Sequence, residues 1–211
     1  LLVEAEIEKF TKEVEKTFIL NLIVSLLVTC VIIAIILFTL KGYNNKLEQL
    51  AAYDSLTKLP NRRTFNLNFE KALRLFNRDK IARSVIFLDI DNFKFINDNY
   101  GHIVGDKVLK RIAIILNIQV RASDNIARWG GEEFLILLND SWLEDSYEVA
   151  QKIRAAFEND IELHDLIKGG VTASFGVTTF CEDDTIEKIV SRADEALYKA
   201  KHSGKNCVIK G

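Results

Sequence analysis

The segment Ala127-Arg128-Trp129-Gly130-Gly131-Glu132-Glu133-Phe134-Leu135-Ile136-Leu137-Leu138 places two consecutive glycines and two consecutive carboxylates between a short β-prone run and an apolar run of strand length. This order predicts a β-hairpin with acids at its turn. Gly130 and Gly131 permit positive φ and leave space for a ligand to approach the backbone. Taken alone, the pattern fits any solvated hairpin. Its weight comes from the residues around it.

Upstream, the buried strand core Val85-Ile86-Phe87-Leu88 ends in Asp89-Ile90-Asp91. Strand alternation would put Asp89 and Asp91 on one face, with Ile90 opposite. Beside the hairpin glutamates, these aspartates would form a hard oxygen site of the kind that suits Mg²⁺ next to a nucleoside triphosphate. Downstream, Lys201 and Lys205 flank Ser203-Gly204 at a helix end, where the helix dipole favours cations and where they could instead bind phosphate.

The flanking pattern predicts a helix from Asn61 to about Asp79, with Asn61 as N-cap after Pro60, the chain's only proline. A short helical piece at Phe93–Asn99, a turn at Gly101 and a helix from about Gly105 follow. Strands are expected at 125–128 and 133–138, a helix at about 143–157, and a β run at 171–180 after Gly169-Gly170. The last helix carries Ile186, Ile189, Val190, Ala193, Leu197 and Ala200 on one stripe, with Asp184 and Glu187 as a capping-box-like pair. Residues 205–210 close as a strand. Helices and strands alternate without a βαβ crossover series, which favours an α+β sheet with flanking helices over a doubly wound one.

The 211 residues, 48% of them hydrophobic, carry a net charge of −2, which suits one domain plus an appendage and offers no bulk field for nucleic acid. Cys30, Cys181 and Cys207 match no metal spacing. The chain begins at Leu1 and has no Met, and is read as a fragment of a longer protein. Residues 1–17 have apolar positions at Val3, Ile7, Phe10 and Val14, as in an amphipathic helix. Residues 18–40 hold no charge and as a helix would span roughly 34 Å, enough to cross a membrane. A buried core helix is the competing reading. Lysines on both sides leave the positive-inside rule undecided. Leu40, Tyr43, Leu47 and Leu50 extend an a/d spacing into a stalk over 41–53 that would pair with a second copy, or stand alone as a solvated linker.

From Tyr53 to Lys210 the chain resembles the GGDEF domain of bacterial diguanylate cyclases, in the Gly-Gly-Glu-Glu-Phe form. The resemblance rests on the hairpin, on Asp54-x-Leu-Thr-x-Leu-x-Asn-Arg62, on Phe87-Leu-Asp-Ile-Asp-Asn-Phe-Lys94 through Ile96-Asn97-Asp98, Gly101-His102 and Gly105-Asp106, on Ser174-Phe-Gly-Val177, and on Ala193-Asp-Glu-Ala-Leu-Tyr-Lys-Ala-Lys201-x-x-Gly-Lys205-Asn206. It implies a nucleotidyl-cyclase or palm-like central β-sheet over 54–211. It also implies that two such domains, each binding GTP with Mg²⁺ or Mn²⁺, face each other to make cyclic di-GMP and two pyrophosphates.

By position, the resemblance assigns metal binding to Asp89, the Ile90 carbonyl and Glu132, and places Glu133 beside the reacting groups, with Asp89, Glu132 and Glu133 as the catalytic set. Asn97 and Asp106 would read guanine, Phe93 and Lys94 would line the triphosphate, Lys201 and Lys205 would grip phosphate, and Gly130 and Gly131 would admit the nucleotide. Arg121-Ala-Ser-Asp124 matches the Arg-x-x-Asp of relatives inhibited by their product, cyclic di-GMP. Lys205 stands where many relatives have Arg, which keeps charge but loses the fork geometry. The expected protein is a homodimeric signal-output module in the bacterial inner membrane, anchored by 18–40 below an extracytoplasmic sensor ending at 17, with its catalytic domain in the cytoplasm. The alternatives are a catalytically silent receptor for GTP or cyclic di-GMP, and a cyclase making a mixed purine dinucleotide, against which Asp106 argues.

Overall fold

Every residue of β1 (Arg83–Ile90) is buried, because the strand has a neighbour on each edge and helices over both faces. The computed structural model describes residues 2–50 and 52–211, with side chains described for 14–43 and 52–211. Five strands run in the order β2-β3-β1-β4-β5, where β2 is Asn125–Arg128, β3 Glu133–Asn139, β4 Ala173–Thr179 and β5 Val208–Lys210. All pairings are antiparallel except β4 with β5, giving a mixed sheet.

Alternation along β1 and β3 feeds two cores. Ile86, Leu88, Phe134 and Ile136 face one side with α3 (Phe93–Tyr100), α4 (His102–Gln119) and α5 (Leu143–Glu158). Val85, Phe87, Leu135 and Leu137 face the other, covered by α2 (Arg62–Asp79) and α7 (Ile186–His202). Asn61 caps α2 by accepting from the Thr64 amide at 3.0 Å. The fully buried Phe65 and Phe69 hold this helix to the sheet, each worth about 1.5–3 kcal/mol of burial. Gly176 sets the closeness of α7 to β4, since a Cβ there would lie 2.0 Å from the Ala193 carbonyl oxygen.

Several local expectations need correction. α4 starts at His102, because Gly101 at φ +83° turns the chain straight from α3 into α4. A further short helix, α6 (Ile161–Leu166), is capped by Asp160. Thr185 is the N-cap of α7; Asp184 instead accepts from the Cys181 amide and pairs with Arg192. Only 208–210 form β5, because Gly204, Lys205 and Asn206 are all left-handed. Neither Gly130 nor Gly131 has positive φ.

The chain divides into two compact units, Leu1–Leu50 and Ala51–Gly211. Within the first, α1 (Leu2–Leu50) is one continuous helix, whose exposed apolar portion Val14–Tyr43 is long and apolar enough to cross a membrane. The heptad side chains at Val3, Ile7, Phe10, Leu47 and Leu50 lie outside the described residues.

Candidate active site

Asp89 and Glu133 are direct partners across the β1–β3 pair, so both side chains emerge on the α2/α7 face. The neighbouring turn is fastened by Ile90 N–H donating to the Glu132 carbonyl at 3.3 Å and Trp129 N–H donating to the Glu133 carbonyl at 2.8 Å. Gly130 leaves room for the Glu133 carboxylate: a Cβ there would fall 2.2 Å from Glu133 Oε2 and would push that carboxylate aside.

The three acids strain one another electrostatically. Burial raises the Asp89 pKa, and the charges of Asp91 and Asp194 add to the rise against the opposing pull of Lys201. Burial followed by the Asp89 charge raises Glu132 and Glu133 in the same way. The cluster therefore lacks positive charge, and Lys201 supplies some, its Nζ 2.7 Å from Asp89 Oδ2.

Among the described residues no three His, Cys, Asp or Glu side chains converge as a ready metal cage. Asp89 and Glu132, close enough for the charge of one to raise the pKa of the other, are nevertheless the hard oxygen donors that suit Mg²⁺, which binds through one or two carboxylates plus phosphates. The Ile90 side chain is buried, leaving only its backbone to contribute.

Asp91 does not share the face of Asp89. β1 ends at Ile90, and Asp91 accepts from Ser174 Oγ at 2.7 Å, Thr172 Oγ1 at 2.8 Å and the Asn206 amide at 3.0 Å. The expected same-face aspartate pair is thus replaced by one acid at the site and one beneath it. Asn92, left-handed at φ +56°, accepts from Lys205 Nζ at 2.5 Å instead of capping α3. The first amides of α3, beside exposed Lys94, are left without a side-chain cap, and uncapped helix amides suit phosphate oxygens. The Phe93 side chain is buried in the core, so only its backbone can take part.

Asn97 packs against Gly105, where a Cβ would fall 2.1 Å from the Asn97 Oδ1; exposed Asp106 follows on α4. An amide and a carboxylate at that joint offer a donor and acceptors to a planar base edge.

Residues given no individual role above brace this arrangement. Arg128 donates to the Gly131 carbonyl at 2.7 Å through Nη2 and to Asp54 at 3.2 Å through Nη1. Asp54 also accepts from the Thr57 amide and hydroxyl, and although burial opposes ionisation, these bonds with Arg128 leave its pKa lowered. Arg62 lies 4.1 Å above the Trp129 ring. Beside Glu133, a groove of about 490 Å³ is bordered by Arg62, Asn66, Trp129 and Asp194. The signal for Arg128 and Trp129 was their place beside the glycines; no local pattern pointed to Asp194.

Arg121 and Asp124 lie at the other end of the β2–β3 hairpin. They border a cavity of about 410 Å³ with Asn139, Asp145, Glu148 and Lys152. Asp124 accepts from the amides of Arg121 and Asn139, holding the loop.

The sheet is centred on antiparallel strands and carries acids at a tight hairpin, with Lys201 from the end of α7 against Asp89. Residues 51–207 match the family model "Diguanylate cyclase, GGDEF domain", and the chain belongs to that family. It is 41% identical over 172 residues to diguanylate cyclase DgcP of Pseudomonas aeruginosa, covering 79% of this chain and 25% of that protein. It is 37% identical to diguanylate cyclase A of Treponema denticola, covering 78% of this chain and 46% of the other. The chain thus spans from a quarter to under half of these relatives. The GGDEF domain of DgcB from Caulobacter crescentus, solved with c-di-GMP, superposes with a TM-score of 0.70 at 29% identity, covering 75% of this chain and 92% of that one.

Proposed function

We propose that the chain is the output module of a membrane-anchored diguanylate cyclase, with an extracytoplasmic sensor segment at 1–17, a span at 18–40, a stalk at 41–53 and a catalytic domain at 54–211. The observation that carries this reading is the pairing of Asp89 with Glu133 across the strands, with Lys201 Nζ at 2.7 Å from Asp89. GTP is the substrate. Asp89, Glu132 and the Ile90 carbonyl would hold Mg²⁺ or Mn²⁺, which when bound neutralises charge developing on the α-phosphate and the leaving pyrophosphate.

Glu133, its pKa raised, is a better base than a free glutamate and takes the proton of the attacking 3′-hydroxyl on a carboxylate oxygen. Each 3′-oxygen bonds to the other nucleotide's α-phosphorus as its α–β bond breaks, so two domains in a homodimer are required. Asn97 and Asp106 select guanine. Lys94, Lys201, Lys205 and the Phe93 backbone hold the triphosphate, while Gly130 and Gly131 let it approach. The net charge of −2 offers no bulk field for nucleic acid, so phosphate binding rests on the local lysines.

The cavity at Arg121 and Asp124 receives cyclic di-GMP as an inhibitor, with the guanidinium suited to bidentate contact. GTP supply sets the catalytic domain in the cytoplasm and the span in the bacterial inner membrane.

The test incubates the membrane-reconstituted chain with GTP and Mg²⁺ and measures cyclic di-GMP and pyrophosphate. Formation of one cyclic product for every two pyrophosphates is expected, abolished in Asp89→Ala. GTP binding without product would favour a receptor instead.

A further inference from the structure

Three non-glycine residues in left-handed backbone, Asn92, Lys205 and Asn206, surround one buried side chain. Each such conformation costs roughly 1 kcal/mol or more and persists only where neighbouring contacts enforce it. Asp91 is bonded into both segments that carry them, with Lys205 joined to it through its neighbours Asn92 and Asn206. It immediately precedes Asn92, its amide donates to the Thr172 carbonyl at 2.9 Å, and its carboxylate receives the Asn206 amide at 3.0 Å. Thr172 and Ser174 hydroxyls orient the same carboxylate. Further bonds complete the frame: Lys205 N–H donates to the Ala200 carbonyl at 3.2 Å, and Arg154 Nη1 donates to Asn206 Oδ1 at 3.2 Å.

Two turns thereby hang from one acid: the β1–α3 turn leading to Phe93 and Lys94, and the turn after α7 carrying Lys205. They meet where Lys205 Nζ reaches Asn92 Oδ1. We propose that Asp91 is a positioning residue for triphosphate recognition, fixing these two turns opposite each other, and that it binds no metal itself. The inference rests on the cyclase reading of the same site and adds how its phosphate-binding half is held. Asp91 is buried and its carboxylate is taken up by three donors of the protein, so it acts through the Asn206 amide. An asparagine there keeps the size and the acceptor oxygen but loses the charge shared among three donors.

The test is a double-mutant cycle on the full chain in detergent or nanodiscs, using Asp91→Asn, Lys205→Ala and the pair. The probes are guanosine and a GTP analogue whose α–β bridge is methylene, so that no turnover intervenes. Asp91→Asn is expected to weaken the analogue by about tenfold, the scale of one charge-assisted hydrogen bond, while changing guanosine less than about twofold. Lys205→Ala is expected to weaken the analogue in the parent and to add little in Asp91→Asn, because the turn is already released.

Additive losses would overturn the proposal, since the two residues would then act separately. Equal loss of guanosine and analogue would also overturn it, marking Asp91 as a general support of the fold, as would an Asp91→Asn effect on the analogue that vanishes without Mg²⁺. If the parent binds the analogue but makes no cyclic di-GMP from GTP, the cyclase reading fails while the cycle still decides the role of Asp91.

Discussion

Lys201 Nζ sits 2.7 Å from Asp89 Oδ2, a partly exposed cation resting on a carboxylate that is only 7% exposed. On the proposed metal site, Lys201 and a divalent ion would both be drawn to the Asp89 carboxylate. Lys201→Ala should therefore lower the melting temperature without added metal, by an amount corresponding to about 1–2 kcal/mol for a half-screened pair. The same variant should show a larger upward shift than the parent when Mg²⁺ is added, because no lysine competes. Thermal scans following Trp129 and Trp142 fluorescence, with and without Mg²⁺, measure both effects; an equal Mg²⁺ shift in the two proteins would refute the competition.

Glu133 ionises reluctantly because burial and the Asp89 charge oppose its carboxylate. A carboxyl whose folded pKa lies above its unfolded value contributes stability at low pH and loses it as pH rises through the folded pKa. Glu133→Gln is thus expected to melt a few degrees higher than the parent at pH 7. The difference should shrink as pH falls below the ordinary glutamate value of 4.5. Cyclic di-GMP formation should fall by about two to four orders of magnitude, the worth of a positioned base. Paired melts at pH 4 and pH 7 with a product assay check the three statements.

Arg128 spans the hairpin turn and the entry segment through the Gly131 carbonyl and Asp54. Truncation to alanine leaves a half-buried carboxylate and a backbone acceptor unpaired, at a cost of about 2–3 kcal/mol. Urea unfolding should show a lower midpoint with unchanged slope. Asp54→Asn, which retains an acceptor for Thr57, should lose less.

Gly105→Ala would drive a methyl to 2.1 Å from Asn97 Oδ1. The amide can swing away, so the fold should survive while guanosine binding weakens by about tenfold, the cost of one lost polar contact. Isothermal titration with guanosine measures the loss, and Gly101→Ala, where nothing lies within 4 Å of the added carbon but φ is +83°, separates backbone strain from the displaced amide.

If the proposed inhibitory site operates, the parent should slow as product accumulates, and Arg121→Ala should abolish that slowing while leaving the initial rate of cyclic di-GMP formation intact. Progress curves at several product concentrations distinguish the two; unchanged slowing would remove Arg121 from any inhibitory role.

Much of this was legible in the sequence because its causes are local. The hairpin follows from glycines, acids and an apolar run in immediate succession, and α2 from Pro60 and the Asn61 cap. What was illegible depended on distant partners. Asp91 looked like a twin of Asp89, and only hydrogen bonds to residues more than eighty positions away turn it beneath the site. The short α6 has little periodicity to read; Asp160 starts it as a cap while pairing with Arg111 from α4. Asp184 was misread as the cap of α7 because its claim on Arg192 and the Cys181 amide is invisible until the chain folds back.

At Gly176, α7 rests on β4 through main chain, with the Ala193 carbonyl and the Leu197 amide where a methyl would stand. Such a contact behaves as a hard stop rather than a spring: side-chain packing can relax by changing rotamer, whereas two backbones in touch have nowhere to yield. The helix whose far end carries Lys201 is thus set against the sheet by main chain at this point, and a single carbon added at 176 has no rotamer through which to escape.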